Sequence, residues 1–248
     1  MQPGVRGDFP FYAGHPVPLS PLQWLDLMAC VCLAAIPLLL PLPFLEHGWG
    51  AILPSLLLLV VPLVALRRLV GPHWRALLRP LRWTDLALAA GTAVLSLIAT
   101  AAVALVLRRF HELDPNAVGE ILRHADAGEV SLFLLRTIPQ IAGEEVITVL
   151  PFLALLAGLS QGLRLPRRSA VAGAWLLSAL PFALFHLPAY GGNLLQCLLV
   201  IGTARLVVML AYLKTRNLLV SSLAHLLHDW IAFGGVLLLR WTAPDAQA

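Results

Sequence analysis

Charge is what this chain has least of. Asp, Glu, Lys and Arg make up 12% of its 248 residues, about half of what soluble domains carry. With 59% hydrophobic residues and a mean hydropathy of +0.84, that scarcity excludes a soluble globular domain. Lysine is nearly missing: 16 of the 17 basic residues are arginine. Most of them sit at the ends of apolar runs, a topology signal that excludes a nucleic-acid surface. The three cysteines, Cys30, Cys32 and Cys197, all fall inside apolar segments, form no CxxC pair and exclude a disulfide framework. No basic stretch leads into a short apolar core within the first twenty residues, so no cleavable signal peptide is read and the first span serves as the targeting signal.

What the chain does have is long apolar runs. A spanning helix needs about 20 mostly apolar residues, and runs of that kind lie at 24–44, 50–66, 84–107, 131–159, 170–187, 194–213 and 218–239. The expected fold is all-α, a polytopic transmembrane helical bundle of about seven spans, between six and eight. One transmembrane domain over residues 24–240 is flanked by tails at 1–23 and 241–248. The first two runs are broken by Pro37, Pro41, Pro43, Pro54 and Pro62, which suggests kinks or re-entrant segments. Between the second and third runs, Gly71 to Trp83 carries Arg75, Arg79 and Arg82 beside leucines and suits a short interfacial helix as well as a basic loop. Seven spans put Arg67, Arg68, Arg75, Arg79, Arg82, Arg164, Arg167, Arg168, Lys214 and Arg216 on one side. The positive-inside rule then expects a cytoplasmic amino terminus, and the composition fits the inner (plasma) membrane of a bacterium.

An ionisable side chain in mid-bilayer costs about 2.5 to 3.5 kcal/mol and is a functional candidate by default. Here such residues cluster in the last four spans: Glu144 and Glu145, His186, Arg205, and His225, His228 and Asp229. Asp26 and Asp85 lie at span starts, where they are cheap. Gln140, Glu144 and Thr148 form one stripe at i, i+4 and i+8, whereas Glu145 points about 100° away and is expected outside the same centre. One glutamate is expected to work and the other to orient. His225 and Asp229, at i and i+4, share a face.

A Glu and two His from three helices can do two kinds of chemistry. The carboxylate and an imidazole can activate water toward a carbonyl while the remaining His and Asp stabilise the oxyanion. The same Glu144, His186 and His225 could instead hold a divalent metal such as zinc. The HExxH helix of soluble zinc proteases is absent.

GEEVITVLPF, FALFH and AYLKTRNLLVSSLAHLLHD, in that order, resemble the CPBP family of intramembrane endopeptidases, the CAAX protease and bacteriocin-processing (ABI) family. Its motifs run EExxxR, FxxxH and HxxxN or HxxxD. Here they read Glu144-Glu145, Phe182 to His186 and His225 to Asp229, with the resembling core at about 131–240. The resemblance implies a glutamic-type peptidase, formerly classed as a metalloprotease, acting on a membrane-associated protein or peptide. Glu144 and His186 would be the water-activating pair, His225 and Asp229 the second pair, and Glu145 a support, with no obligate metal or other cofactor. The arginine expected five residues after Glu144 is Val149, and Arg205 is expected to supply its charge from the neighbouring helix. Asp229 in place of Asn is expected to orient His225. The competing readings are an inactive family scaffold or immunity protein and a small proton-coupled transporter.

Overall fold

Proline and glycine placement shapes the helices of this chain, seen here in a computed structural model that describes residues 18–40, 50 and 52–242. Helix α1 (Pro21–Leu39) starts where Ser20 accepts from the Gln23 amide and Gln23 Oε1 accepts from Ser20 N–H, with Pro21 in the first turn, where no donor is needed. Helix α2 (Ile52–Val70) runs on through Pro62 without a break. Both prolines-rich runs are therefore continuous helices over the described residues rather than re-entrant segments; Pro41 and Pro43 of the first run lie outside the described residues.

After α2 the chain turns at Gly71, φ +59°, into a 3-10 segment over Gly71–Leu77. Of the two readings of 71–83, short helix and basic loop, each holds for a part: a 3-10 helix to Leu77 and then extended chain. Pro72 and Pro80 explain why: each lacks an amide donor, and Pro80 disfavours helix at Arg79. Arg79 N–H instead donates to Asn217 Oδ1 at 3.1 Å, and Asn217 Nδ2 donates to Arg79 O at 3.0 Å. This clamp ties the segment to the turn between the last two helices.

Helix α3 (Trp83–Leu107) leads to the short α4 (Ala117–His124), which packs on the last helix. Helix α5 (Ala127–Ala157) opens with a reciprocal Asp126–Glu129 cap and continues through one π turn to Gly162. Then come α6 (Arg167–Phe185), α7 (Leu194–Thr215, with a π turn at Cys197–Ile201) and α8 (Leu218–Thr242). The described residues are all-α without a strand, 86% helical, and seven of the helices are long and apolar enough to cross a membrane.

Helix α5 is the axis of the bundle and the most buried of the spanning helices. Gly143 lets it touch α2: a Cβ there would lie 3.0 Å from Leu58 Cγ and Leu59 N. Its carboxyl-terminal half, with Val149, Phe152, Leu153 and Leu156, packs with Leu27, Leu66, Met209 and Tyr212 in the main core. Trp175 Nε1 donates to Leu206 O at 3.0 Å and pins α6 to α7. The other half of α5 meets α8 through a Phe133–Phe233 edge contact and a Trp230 Nε1 bond to Thr137 Oγ1 at 3.0 Å.

Candidate active site

Packed this way, α5, α7 and α8 bring four of the charged or imidazole groups to one buried point. Glu145 is completely buried, and Arg205 grips it with both Nη1 and Nη2, the second bond measuring 3.0 Å. His225 Nδ1 donates to the same carboxylate at 2.9 Å. A buried charge survives only when paired and hydrogen-bonded, and Glu145 has both. The cation missing at Val149 is thus matched by Arg205 from α7, while Val149 itself is core.

Because Nδ1 of His225 faces Glu145, its Nε2 faces the other way. Glu144 Oε2 lies 3.9 Å from it and Asp229 Oδ1 3.7 Å. The expectation that Glu145 would stand outside the centre is therefore corrected. The two glutamates diverge around the helix as their spacing requires, but the His225 ring lies between them and meets one with each nitrogen.

Glu144 accepts from Gln140 Nε2 at 3.0 Å and is held by no arginine. Thr148, the third member of the stripe, bonds back to Glu144 O at 2.8 Å and stays structural. His186 follows the last residue of α6, where its Nδ1 bonds Phe182 O at 2.9 Å. A carbonyl only accepts, so Nδ1 carries the proton and Nε2 is the lone-pair nitrogen of the neutral ring. Glu144 and His186 are not in ion-pair contact among the described residues; the imidazole nearest Glu144 belongs to His225.

Phe182 is the residue whose role the sequence reading missed, although the FxxxH spacing marks it. Its ring packs on His186 at 4.6 Å, on His225 at 5.8 Å, and beneath the Arg205 guanidinium at 5.0 Å. One apolar plate thus orients three site groups. Asp229 is the more open carboxylate, 26% exposed against 6% for Glu144. Beyond it, on the loop after α6, Tyr190 accepts from Asn116 Nδ2 at 2.9 Å. Burial lifts the Tyr190 phenol above its ordinary value, and the Asp229 charge acts in the same direction against the Asn116 bond.

Among the described residues no three His, Cys, Asp or Glu side chains are arranged to hold an ion, and one of the glutamates already carries an arginine. The network is an ion-paired carboxylate, Glu145, with a second, lightly held one, Glu144, beside it.

The described residues thus form an all-helical membrane bundle with a buried Glu, His and Arg network. Residues 126–231 match the family model of the type II CAAX prenyl endopeptidase, Rce1-like. Over this region the match agrees with the resemblance of its motifs to the CPBP family of CAAX-type intramembrane proteases. None of the curated proteins and none of the solved structures matches it.

Proposed function

We propose that the chain hydrolyses a peptide bond of a membrane-associated protein with water activated by Glu144. The observation that carries this is the unequal treatment of the two glutamates. The charge of Glu145 is committed to Arg205 and His225, whereas Glu144 accepts one bond from a neutral amide and turns its other oxygen toward His225. A general base has to be ionisable without being locked in a salt bridge.

In the proposed reaction Glu144 takes a proton from water as the water oxygen bonds to the scissile carbonyl carbon. His186 offers Nε2 to the second hydrogen of that water. His225, anchored by Glu145 and flanked by Asp229, faces the oxyanion, and donation from Nε2 requires the doubly protonated ring. Collapse breaks the C–N bond, and the proton held by Glu144 passes to the leaving amine. Arg205 acts through Glu145 as a positioning residue. No metal takes part in this scheme.

A lipid-substituted substrate is favoured by an apolar groove of about 790 Å³ between α1, α5 and α6. Trp24, Met28, Leu155 and Leu159 line it, and Pro181, next to Phe182, forms part of its wall. In a bacterial inner membrane with the amino terminus in the cytoplasm, the loop carrying Tyr190 would lie on the opposite face.

The test compares membrane proteomes from cells expressing wild type or Glu144→Gln at equal levels, with a chelator added to a parallel wild-type sample. Protein termini that vanish in the mutant and persist with the chelator are the expected result. Identical termini, with the mutant still complementing a deletion, would overturn the peptidase reading in favour of a scaffold or transporter.

A further inference from the structure

Basic residues from two distant stretches of the chain surround one cavity, at the end of the bundle where α3 begins and α7 stops. Its volume of about 430 Å³ falls within the range of about 300 to 1,000 Å³ found for small-ligand sites. Arg79 and Arg82 reach it from the segment before α3, Lys214 and Arg216 from the end of α7. As a sphere, that volume is about 9 Å across, close to the Debye length of about 8 Å at physiological ionic strength, so the four cations are poorly screened from one another.

Asp85 is the one carboxylate on this lining among the described residues, and it is already committed. It accepts from Arg82 N–H at 3.0 Å and from Arg82 Nε at 3.4 Å. Arg79 spends Nε on Ala76 O at 3.4 Å, which leaves both Nη groups for a ligand. Lys214, the single lysine of the chain, is exposed and pairs with no carboxylate among the described residues. Four cations against one carboxylate leave three positive charges in excess, and guanidinium and ammonium donors fit a phosphate.

The surroundings of the cavity favour a lipid phosphate over a free one. Trp83 is 87% exposed and Leu81 42% exposed, on either side of Arg82, and tryptophan at the end of a spanning helix marks the headgroup level of a bilayer. Leu88, further along α3, gives the cavity an apolar side toward the span. Basic pockets between spanning helices at this level suit phospholipid headgroups.

We propose that this cavity binds the phosphate of an anionic phospholipid, held by Arg79 and Lys214 and flanked by Arg82 and Arg216. The bound phosphate joins the segment before α3 to the end of α7, parts of the chain that Asn217 already ties together through the Arg79 backbone. The inference goes beyond the peptidase reading and stands apart from it, since no residue of the candidate active site takes part.

Because Asn217 bonds the Arg79 backbone, the Arg79 side chain can be changed without opening that clamp. The test follows acetylation of Lys214 by peptide mass spectrometry on the purified full-length protein in three kinds of nanodisc. These are phosphatidylcholine alone, phosphatidylcholine with phosphatidylglycerol, and phosphatidylcholine with inorganic phosphate in the buffer. Phosphatidylglycerol is expected to slow acetylation about fivefold or more, the effect of one basic contact at a membrane surface. Arg79→Gln removes the slowing and Arg79→Lys keeps most of it, while both hold the wild-type thermal midpoint in detergent.

Equal rates in the two lipid mixtures would overturn the proposal. So would slowing that persists in Arg79→Gln, because a diffuse surface potential has no need of that side chain. Equal slowing by inorganic phosphate and by the lipid would overturn the lipid assignment in favour of a free-anion site. Lys214→Gln, at an exposed position, supplies a second reading if Arg79→Gln folds poorly. Native mass spectrometry in detergent should find fewer phosphatidylglycerol molecules retained by Lys214→Gln than by wild type, and equal retention would overturn the proposal as well.

Discussion

The first three spanning helices and the last four are built from similarly apolar sequence yet hide different things. The polar groups buried in α2 and α3 are Ser55, Asp85, Thr92 and Ser96. Three are small hydroxyls, and Asp85 closes the first turn of α3 with Arg82 N–H at 3.0 Å. Helices α5 to α8 bury Glu144, Glu145, Arg205 and His225. The difference teaches that apolar length alone makes a wall, whereas a working interior needs charges that answer one another across helices. Glu145, Arg205 and His225 come from three different helices, so none can be desolvated until the other two are in place.

Removing the proposed base should break this comparison most sharply. Glu144→Gln is expected to lower cleavage by about 10² to 10⁴-fold while leaving the thermal unfolding midpoint in detergent near the wild-type value. If the midpoint falls with the activity, Glu144 belongs to the scaffold as Glu145 does.

Breaking the buried pair tests the other carboxylate. Arg205→Ala leaves Glu145 buried with only His225, and a loss of about 3 to 5 kcal/mol is expected. The double variant Arg205→Met with Glu145→Gln should recover part of it, as read by denaturant titration of the reconstituted protein. A double variant less stable than either single change would show that the two charges are not paired.

A smaller effect is expected where the two halves meet. Gly143→Ala puts a Cβ 3.0 Å from Leu59 N, backbone that cannot swing away, and should destabilise by about 1 to 3 kcal/mol. Activity should fall with it, because the next two residues are Glu144 and Glu145. Full activity in Gly143→Ala would mean that the α2 contact does not set the position of the glutamates.

The smallest change belongs to the wall. Ser96 is fully buried and its hydroxyl has no hydrogen-bond partner. Ser96→Ala should therefore shift stability by no more than about 0.5 kcal/mol and leave cleavage unaltered. A large loss would place a polar function in the first half of the chain.

The spans were legible because the bilayer imposes a length and forbids charge, so runs such as 84–107 and 194–213 stand out without knowledge of their neighbours. Arg205 was legible for the same reason: a lone cation in mid-span requires an anion, and the nearest candidates were Glu144 and Glu145. Which of the two it takes was not. Helical spacing separates the glutamates by about 100°, but it cannot show that an imidazole from α8 slides between them. Phe182 was visible only as a motif letter, since three ring contacts arise from three helices.

By itself the sequence determined a seven-span helical membrane protein with its polar chemistry in the last four spans. Those features follow from local rules, the hydrophobic length of a helix and the expense of a charge in lipid. Only the tertiary structure decided that Glu145 is held by Arg205 while Glu144 stays lightly bonded, that His225 bridges the two, and that His186 turns its Nδ1 onto its own helix. Hydrogen-bond partners more than fifty residues apart are chosen by how helices pack, and packing is a property of the whole bundle rather than of any one stretch of chain.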